Sequence, residues 1–443
     1  MERTVDEPAR PVPRIGWYGD DFTGATDTLA TLAGSGLRTV LFLGVPDRRV
    51  LELAGPLDAA GIAGASRTMS PPRMAEELEP VGQFFEELGV SVLHYKCCST
   101  FDSAPDVGSI GAAVATLRGH VANSFVPIVG GQPNIGRYCV FSNLFARAGS
   151  AGAVHRIDRH PTMSVHPVTP MREADLRLHL EAQGLAPVVG LHAPAYRTDQ
   201  PEASLQALLG AQPGAVLMDL AEAQDLAAIG RLIWNEAKRE PLLAVGPSSV
   251  AQALAAHWEA LGTSPGLASS RELGPASGPV LLLAGSLSPV TRRQVEAARS
   301  YEHVALDAGR LAVEDAYATK VVDDLSRHLR DGRHVLAYTA SEGPPSDTGR
   351  AGAIAAATAR LVTEVLRITP LRRIGIAGGD TSSLAVKALP IWGLSTLTVL
   401  SPGVTVCRAH SENDLDGMEL MLKGGQMGSD DLFERLLSGA PSA

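Results

Sequence analysis

The chain is poor in cysteine and lacks long apolar runs, an excess of positive charge and the commonest nucleotide fingerprints. Each absence removes a class. Only four cysteines occur in 443 residues, Cys97, Cys98, Cys139 and Cys407. Their spacing matches neither a zinc site nor a disulfide framework, so reduced thiols in a cytoplasmic protein are expected. No uninterrupted apolar stretch approaches the ~20 residues that a membrane span needs. The opening MERTVDEPARPVPR carries charges and prolines around no apolar centre, unlike a signal peptide. A net charge of -10 argues against a nucleic-acid partner. It leaves room for an anionic small molecule, because a local Arg/Lys cluster can reverse the field within one cleft. No GxxxxGK[ST] string is present, and no GxGxxG follows the first expected strand, which ranks an NAD-linked dehydrogenase last.

What is present is globular. Hydrophobic residues make up 45% of the chain and charged ones 19%, enough material for about two or three domains. From Arg14 onward short β-type runs alternate with helical ones. Ile15–Tyr18 reads as a buried strand, Thr23 as the cap of a helix ending near Ser35, and Thr39–Leu43 as the next strand. That is a βαβ opening, which implies a parallel sheet. Further strands are expected near Ile62, at Val90–Tyr95, Val126–Val129, Val188–Leu191, Ala215–Leu220 and Leu242–Val245. The stretch 262–279 is rich in Gly, Ser and Pro and reads as a linker. The alternation restarts at Val280–Ala284 and continues through Val304–Asp307, His334–Thr339, Arg373–Ala377 and Leu397–Leu400. The expected fold is therefore two α/β domains, 14–261 and 280–437, with mainly parallel sheets flanked by helices. The active site is expected in the cleft between them.

Three kinds of strand-to-helix turn carry chemistry. Asp20-Asp21 stands where the first strand should end, and paired carboxylates can hold a metal, orient hydroxyls or accept a proton. The alternative is plain turn and capping chemistry. Gly378-Gly379-Asp380-Thr381 follows the Arg373–Ala377 strand, and bare amides at a helix start suit phosphate. Gly285-Ser286-Leu287-Ser288 is a second such turn, with Ser286 and Ser288 as hydroxyl donors or simple N-caps. Lys423-Gly424-Gly425 is a third, where Lys423 could neutralise phosphate or the segment could be a loop. Arg67, Lys96 with Ser99 and Thr100, and Arg159 in the run His155–His160 could form a cationic rim for a carboxylate. His155, His160 and His166 do not have the spacing of a helical zinc motif.

In this order the motifs resemble the four-carbon acid sugar kinase family. The resemblance rests on Gly19-Asp20-Asp21-Phe22-Thr23-Gly24-Ala25-Thr26-Asp27, Ser66-Arg67, Lys96-Cys97-Cys98-Ser99-Thr100, Gly285-Ser286-Leu287-Ser288, Gly378-Gly379-Asp380-Thr381-Ser382 and Lys423-Gly424-Gly425-Gln426-Met427-Gly428. It spans nearly the whole chain. It implies an N-terminal domain that holds a sugar acid and a C-terminal domain that holds ATP. Asp20, Asp21, Arg67, Lys96, Ser99, Thr100 and Arg159 would then serve the acid. Ser286, Ser288, Gly378, Gly379, Asp380, Thr381, Gly424 and Gly425 would serve the nucleotide. The acid implied is a small one such as threonate, erythronate or 3-oxo-tetronate, or a branched relative such as 3-oxo-isoapionate. Many members carry KxDSTxRG, whereas this chain reads Lys96-Cys97-Cys98-Ser99-Thr100-Phe101-Asp102-Ser103, losing a positive charge. The run from His155 to Ser164 is similar to that of members acting on 3-oxo-isoapionate.

The expected chemistry is in-line transfer of the ATP γ-phosphate to a substrate hydroxyl, which needs positioning and charge neutralisation more than covalent help. Mg2+ would bridge the phosphates with Asp380 as a ligand, and Asp21 or Asp380 would take the hydroxyl proton. Closure of the domains about the linker is expected to exclude water. Two rivals are a metal-dependent phosphatase, which fits poorly because haloacid-type enzymes need DxD, and a non-catalytic sugar-acid or nucleotide sensor. No nucleic-acid or membrane partner is expected, and a homo-oligomer is compatible with the sequence.

Overall fold

The structure is a computed structural model that describes residues 12–123, 125–149, 152–166, 168–264, 272–285, 288–339, 348–425 and 427–439, without the side chains of 348–352 and 380. Strand and helix alternate as the sequence predicts, because short buried β-type runs are punctuated by Gly and Asp turns. The first half is a wholly parallel array. Its strands lie side by side in the order Val188–Leu191, Ala215–Asp219, Val126–Gln132, Leu242–Gly246, Val92–Lys96, Ile15–Gly19, Ala59–Ala63 and Thr39–Phe42. The second half runs Glu302–Leu306, Val335–Thr339, Val280–Ala284, Arg373–Ala377 and Glu419–Lys423, all parallel. Val404–His410 and Gly393–Ser401 then complete it in antiparallel fashion.

The two arrays are not separate sheets. Gly393 and Leu394 pair antiparallel with Phe42 and Leu41, so one continuous sheet crosses both halves. Trp392 stacks on Phe42 across this seam, with ring centroids 6.2 Å apart. A single buried apolar cluster includes Trp17 and Leu29 from one half and Leu281, Ile376 and Leu422 from the other. The halves thus share buried apolar surface as well as the linker, and parting them would expose it. Part of the expected linker also packs down. Leu273 is buried, Ala276 N donates to Leu437 O, and Arg373 Nη2 donates to Gly274 O.

One region has no forerunner in the sequence reading. Val126–Gln132 runs on into a small antiparallel ribbon, Arg137–Val140, Asn143–Arg147 and Val154–Arg156. The tight turn at Phe141-Ser142 has positive φ at both residues, a conformation few non-glycine residues adopt. Buried Asp219 holds it by accepting from Phe141 N and Ser142 N. An apolar recess of about 710 Å³ on this ribbon is lined by Tyr138, Phe141 and Phe145 among others, with Arg156 as its one charged residue. Among the described residues no helix is long and apolar enough to cross a membrane.

Candidate active site

Strand Ile15–Gly19 lies between Ala59–Ala63 and Val92–Lys96, in register so that Gly19, Ala63 and Lys96 end together. Parallel strands that stop at one level deliver their following loops to one place. The loops here carry Asp20-Asp21, Ser66-Arg67 and Cys97-Cys98. Backbone bonds lock them: Asp20 N donates to Lys96 O, and Arg67 N donates to Asp20 O. Cys98 N donates to Asp20 Oδ2 at 3.2 Å.

Asp21, not Thr23, caps the first helix, Phe22–Gly34. Its backbone is extended, and its carboxylate accepts from Gly24 N and Thr23 Oγ1, both at 2.9 Å. A two-oxygen acceptor two residues earlier reaches the free amides better than the threonine hydroxyl does. The same carboxylate takes Arg67 Nη2 at 2.9 Å and Lys96 Nζ at 3.2 Å. Lys96 Nζ also stands 3.5 Å from Asp20 Oδ1. Gly24 is obligatory in this knot, since a Cβ there would fall 1.5 Å from Lys96 Nζ.

The two aspartates separate electrostatically. Burial raises Asp20, and the neighbouring Asp21 charge adds to this, with Lys96 only partly opposing. Burial pushes Asp21 the same way, but Arg67 and Lys96 outweigh it and hold its carboxyl below the usual range. Lys96 is itself desolvated, yet the two carboxylates keep it firmly charged. Asp21 is thus a fixed anion, whereas Asp20 has the higher proton affinity and a buried Oδ1 with no hydrogen-bond partner.

The glycine turns converge for the same topological reason. Strands Val280–Ala284, Arg373–Ala377 and Glu419–Lys423 are neighbours, so their C-terminal ends are adjacent. Gly285 N donates to Ala377 O, and Gly378 N donates to Lys423 O. Thr381 packs on Gly285, where a Cβ would lie 2.2 Å from Thr381 Oγ1. Ser288 caps its own helix, accepting from Thr291 N, and its hydroxyl also donates to Gly425 O. Gly378 has φ 124°, a conformation that favours glycine. Helix Gly379–Ala388 then starts with no side-chain cap, leaving its first amides free.

The acidic and glycine turns face each other. Arg67, which clamps Asp21, has its Nη2 only 3.7 Å from where a Gly379 Cβ would be. Among the described residues, its chain neighbours and own helix aside, no other heavy atom lies within 4 Å of that point. Across the same seam Lys387 Nζ lies 3.9 Å from Glu77, which accepts from the Tyr18 hydroxyl.

Two family descriptions match the chain. "Sugar-binding N-terminal domain" covers residues 15–254, and "Nucleotide-binding C-terminal domain" covers 281–433. A 3-oxo-isoapionate kinase of Paraburkholderia graminis is 38% identical, over 96% of this chain and 94% of that protein. The chain belongs to the four-carbon acid sugar kinase family. A 3-oxo-tetronate kinase of Methylobacterium radiotolerans is 30% identical, over 96% of this chain and 98% of its own length. A crystal structure of a Salmonella typhimurium protein described as a tRNA synthase shares the fold, with a TM-score of 0.78 at 24% identity and coverage of 95% and 98%.

The acidic opening of this four-carbon acid sugar kinase family member brings Asp20, Asp21, Arg67 and Lys96 into one cluster. Ser99 and Thr100 follow in a tight turn, where Thr100 Oγ1 pairs with Cys98 Sγ at 3.1 Å. Arg159 is not among them: it is exposed and pairs with Asp158 at 3.7 Å. On the glycine side Ser288, Gly378, Gly379, Thr381, Gly424 and Gly425 come together. Ser286 and the Asp380 side chain lie outside the described residues. Lys423 is not in a loop. It closes a strand, is fully buried, and donates to Thr291 Oγ1 at 2.9 Å. Thr291 Oγ1 in turn donates to Gly425 O, so Lys423 braces the glycine turn from behind. The sequence reading passed over Asp102, which follows Thr100 in the same loop and is buried with an unpartnered Oδ1. Its signal was an acid where many family members have arginine.

Proposed function

We propose that the chain transfers the γ-phosphate of ATP to a hydroxyl of a small sugar acid, and that this acid is a branched 3-oxo acid of the 3-oxo-isoapionate kind. The observation that carries the reading is the meeting of the two turns through Arg67, which puts a carboxylate cluster beside an uncapped helix start. The likeness to a 3-oxo-isoapionate kinase supports the branched acid. Domain limits at 14–261 and 280–437, with 262–279 between them, fit the two family matches.

In this mechanism the free amides of Gly379 and its neighbours receive phosphate oxygens, and the glycine turn braced by Lys423 shapes the nucleotide's bed. Arg67 lies between the halves, where its charge offsets the anion that builds up as the phosphoryl group moves. Lys96 and Asp21 fix the acceptor side as one rigid block. Asp20 receives the hydroxyl proton, because a carboxyl raised by burial and paired with Lys96 alone at 3.5 Å is a better base than one held by both Arg67 and Lys96. Among the described residues no three His, Cys, Asp or Glu side chains gather as a metal site. A phosphate-bound Mg2+ held mostly by water, with Asp380 as the protein ligand, is the form that fits this donor set, and it would supply charge neutralisation.

An ADP-coupled assay over 3-oxo-isoapionate, 3-oxo-tetronate, threonate and erythronate tests the reading. The expected result is turnover that depends on ATP, with the highest kcat/KM on the branched acid. Phosphate release without nucleotide would instead point to a phosphatase, and binding of acid without ADP formation to a sensor.

A further inference from the structure

We propose that Glu77 and Lys387 are positioning residues, whose ion pair sets the direction of helix Gly379–Ala388 relative to Arg67 and so aligns the two turns for transfer. The inference rests on the kinase reading above and names a pair that holds its donor and acceptor sides in line.

Arg67 and Glu77 belong to one short segment of the first half. Arg67 lies in the turn Ser66–Thr68, and Glu77 in the second turn of the helix Pro71–Leu88 that follows. Gly379 and Lys387 stand at the two ends of one helix in the second half, Lys387 in its last turn. Arg67 Nη2 is 3.7 Å from a Gly379 Cβ position, and Lys387 Nζ is 3.9 Å from Glu77 Oε1. One segment therefore meets one helix at both ends. A single contact fixes a point of a helix; two contacts fix its direction.

Glu77 is itself held in place. Its Oε1 accepts from the Tyr18 hydroxyl at 3.3 Å. Tyr18 is fully buried, and a Cβ on Gly64 would fall 1.9 Å from its hydroxyl, so that hydroxyl is closely fitted. The ring stacks on Tyr95 with centroids 6.1 Å apart, and the Tyr95 hydroxyl pairs with buried Ser66 Oγ at 3.1 Å. Tyr18 stands two residues before Asp20, and Ser66 immediately precedes Arg67. The acid that meets Lys387 is thus anchored to the strand and the turn that carry the acceptor cluster. A cation in the last turn of a helix is also favoured by the free carbonyls there.

Phosphoryl transfer depends on alignment, and a misplacement of about 1 Å can cost on the order of 10²-fold. About a third of each side chain in the pair is open to solvent. Such a pair adds little to stability, so its contribution is to orientation. With the pair broken, Arg67 still meets Gly379, but apolar packing alone sets the direction of the helix, and that force is not directional. The free amides at the helix start then lose their fixed relation to Asp20.

The test uses full-length Glu77→Gln, Lys387→Met and the double variant. Glu77→Gln keeps an acceptor for Tyr18 and loses the charge. Arg49→Met is the control, because Arg49 pairs with Glu412 and so also joins the two halves, through exposed side chains. Single-turnover ADP formation at saturating ATP and acid reads the transfer step, calorimetry reads nucleotide and acid affinity, and thermal melts check folding. Each single variant should transfer about five- to tenfold more slowly, with both affinities and Tm near wild type. The double variant should be no slower than either single one, because both changes remove the same interaction. Arg49→Met should keep the wild-type rate. A wild-type rate in both single variants, losses that multiply in the double variant, or an equal loss in Arg49→Met overturns the positioning role. Wild type that forms no ADP with any sugar acid overturns the kinase reading instead.

Discussion

Lys96 and Lys423 each end a buried parallel strand, one in each half, and their surroundings are opposite. Lys96 meets two carboxylates and is held charged. Lys423 meets a threonine hydroxyl and the ring of Phe433, and burial pulls it down to about 7. The contrast extends to the two sites they support. The acceptor side is a knot of full charges that compensate one another. The nucleotide side is backbone amides, glycines and hydroxyls, with one cation tucked behind. A small neutral-to-anionic acceptor needs oriented charges and a proton acceptor. A polyphosphate brings its own charge and needs space and N–H groups.

If that contrast is right, charge changes should dominate on one side and added methyl groups on the other. The largest effect is expected for Asp20→Asn, with kcat falling about 10²–10⁴-fold in the coupled assay while nucleotide affinity by calorimetry stays near wild type. Should Asp21→Asn abolish turnover while Asp20→Asn spares it, the proton acceptor is Asp21. Next comes Lys96→Ala, which leaves buried Asp20 without its cation and Asp21 with Arg67 alone, and should cost on the order of 3–5 kcal/mol in denaturant unfolding, with acid binding lost as well. Near-wild-type stability in that variant would mean that the knot is not self-compensating.

On the glycine side the expected losses are smaller and of two kinds. Gly379→Ala meets nothing closer than Arg67 at 3.7 Å, so the fold should tolerate it. The methyl group would occupy the space before the helix, and KM for ATP should rise about tenfold with KM for the acid unchanged. Gly378→Ala differs because of its φ of 124°, and should lose roughly 1–3 kcal/mol of stability. Equal behaviour of the two alanines would remove the distinction between the phosphate space and the strained turn.

The smallest effect concerns pH. Lys423 has a folded pKa of about 7 against an ordinary 10.5, so the folded state binds fewer protons than the unfolded one between those values. Its destabilising contribution is complete below pH 7 and fades as pH rises toward 10.5. The Tm of wild type should therefore gain on that of Lys423→Met across this window, by a few degrees. A constant gap between the two melting curves would show that Lys423 is not the group responsible.

Local chemistry was legible in the chain. Strand runs, the acidic turn and the three glycine turns all follow from residues within a few positions of one another, because short apolar runs buried on both faces and turn chemistry are short-range. Capping was nearly so: the cap fell on Asp21 rather than Thr23, two residues away. The register that brings Lys96 to Asp21 was foreseeable only in outline, through the rule that parallel strands share a ligand-bearing end.

What only the folded molecule decided was everything that depends on distant segments meeting. The Phe42–Gly393 seam joins residues some 350 positions apart, and one buried apolar cluster runs through both halves. Arg67 against Gly379 is likewise a juxtaposition of loops from different strands. A sequence specifies such loops by composition, but strand order sets which of them share a space, and strand order is settled by packing over the whole sheet rather than by any one stretch of residues.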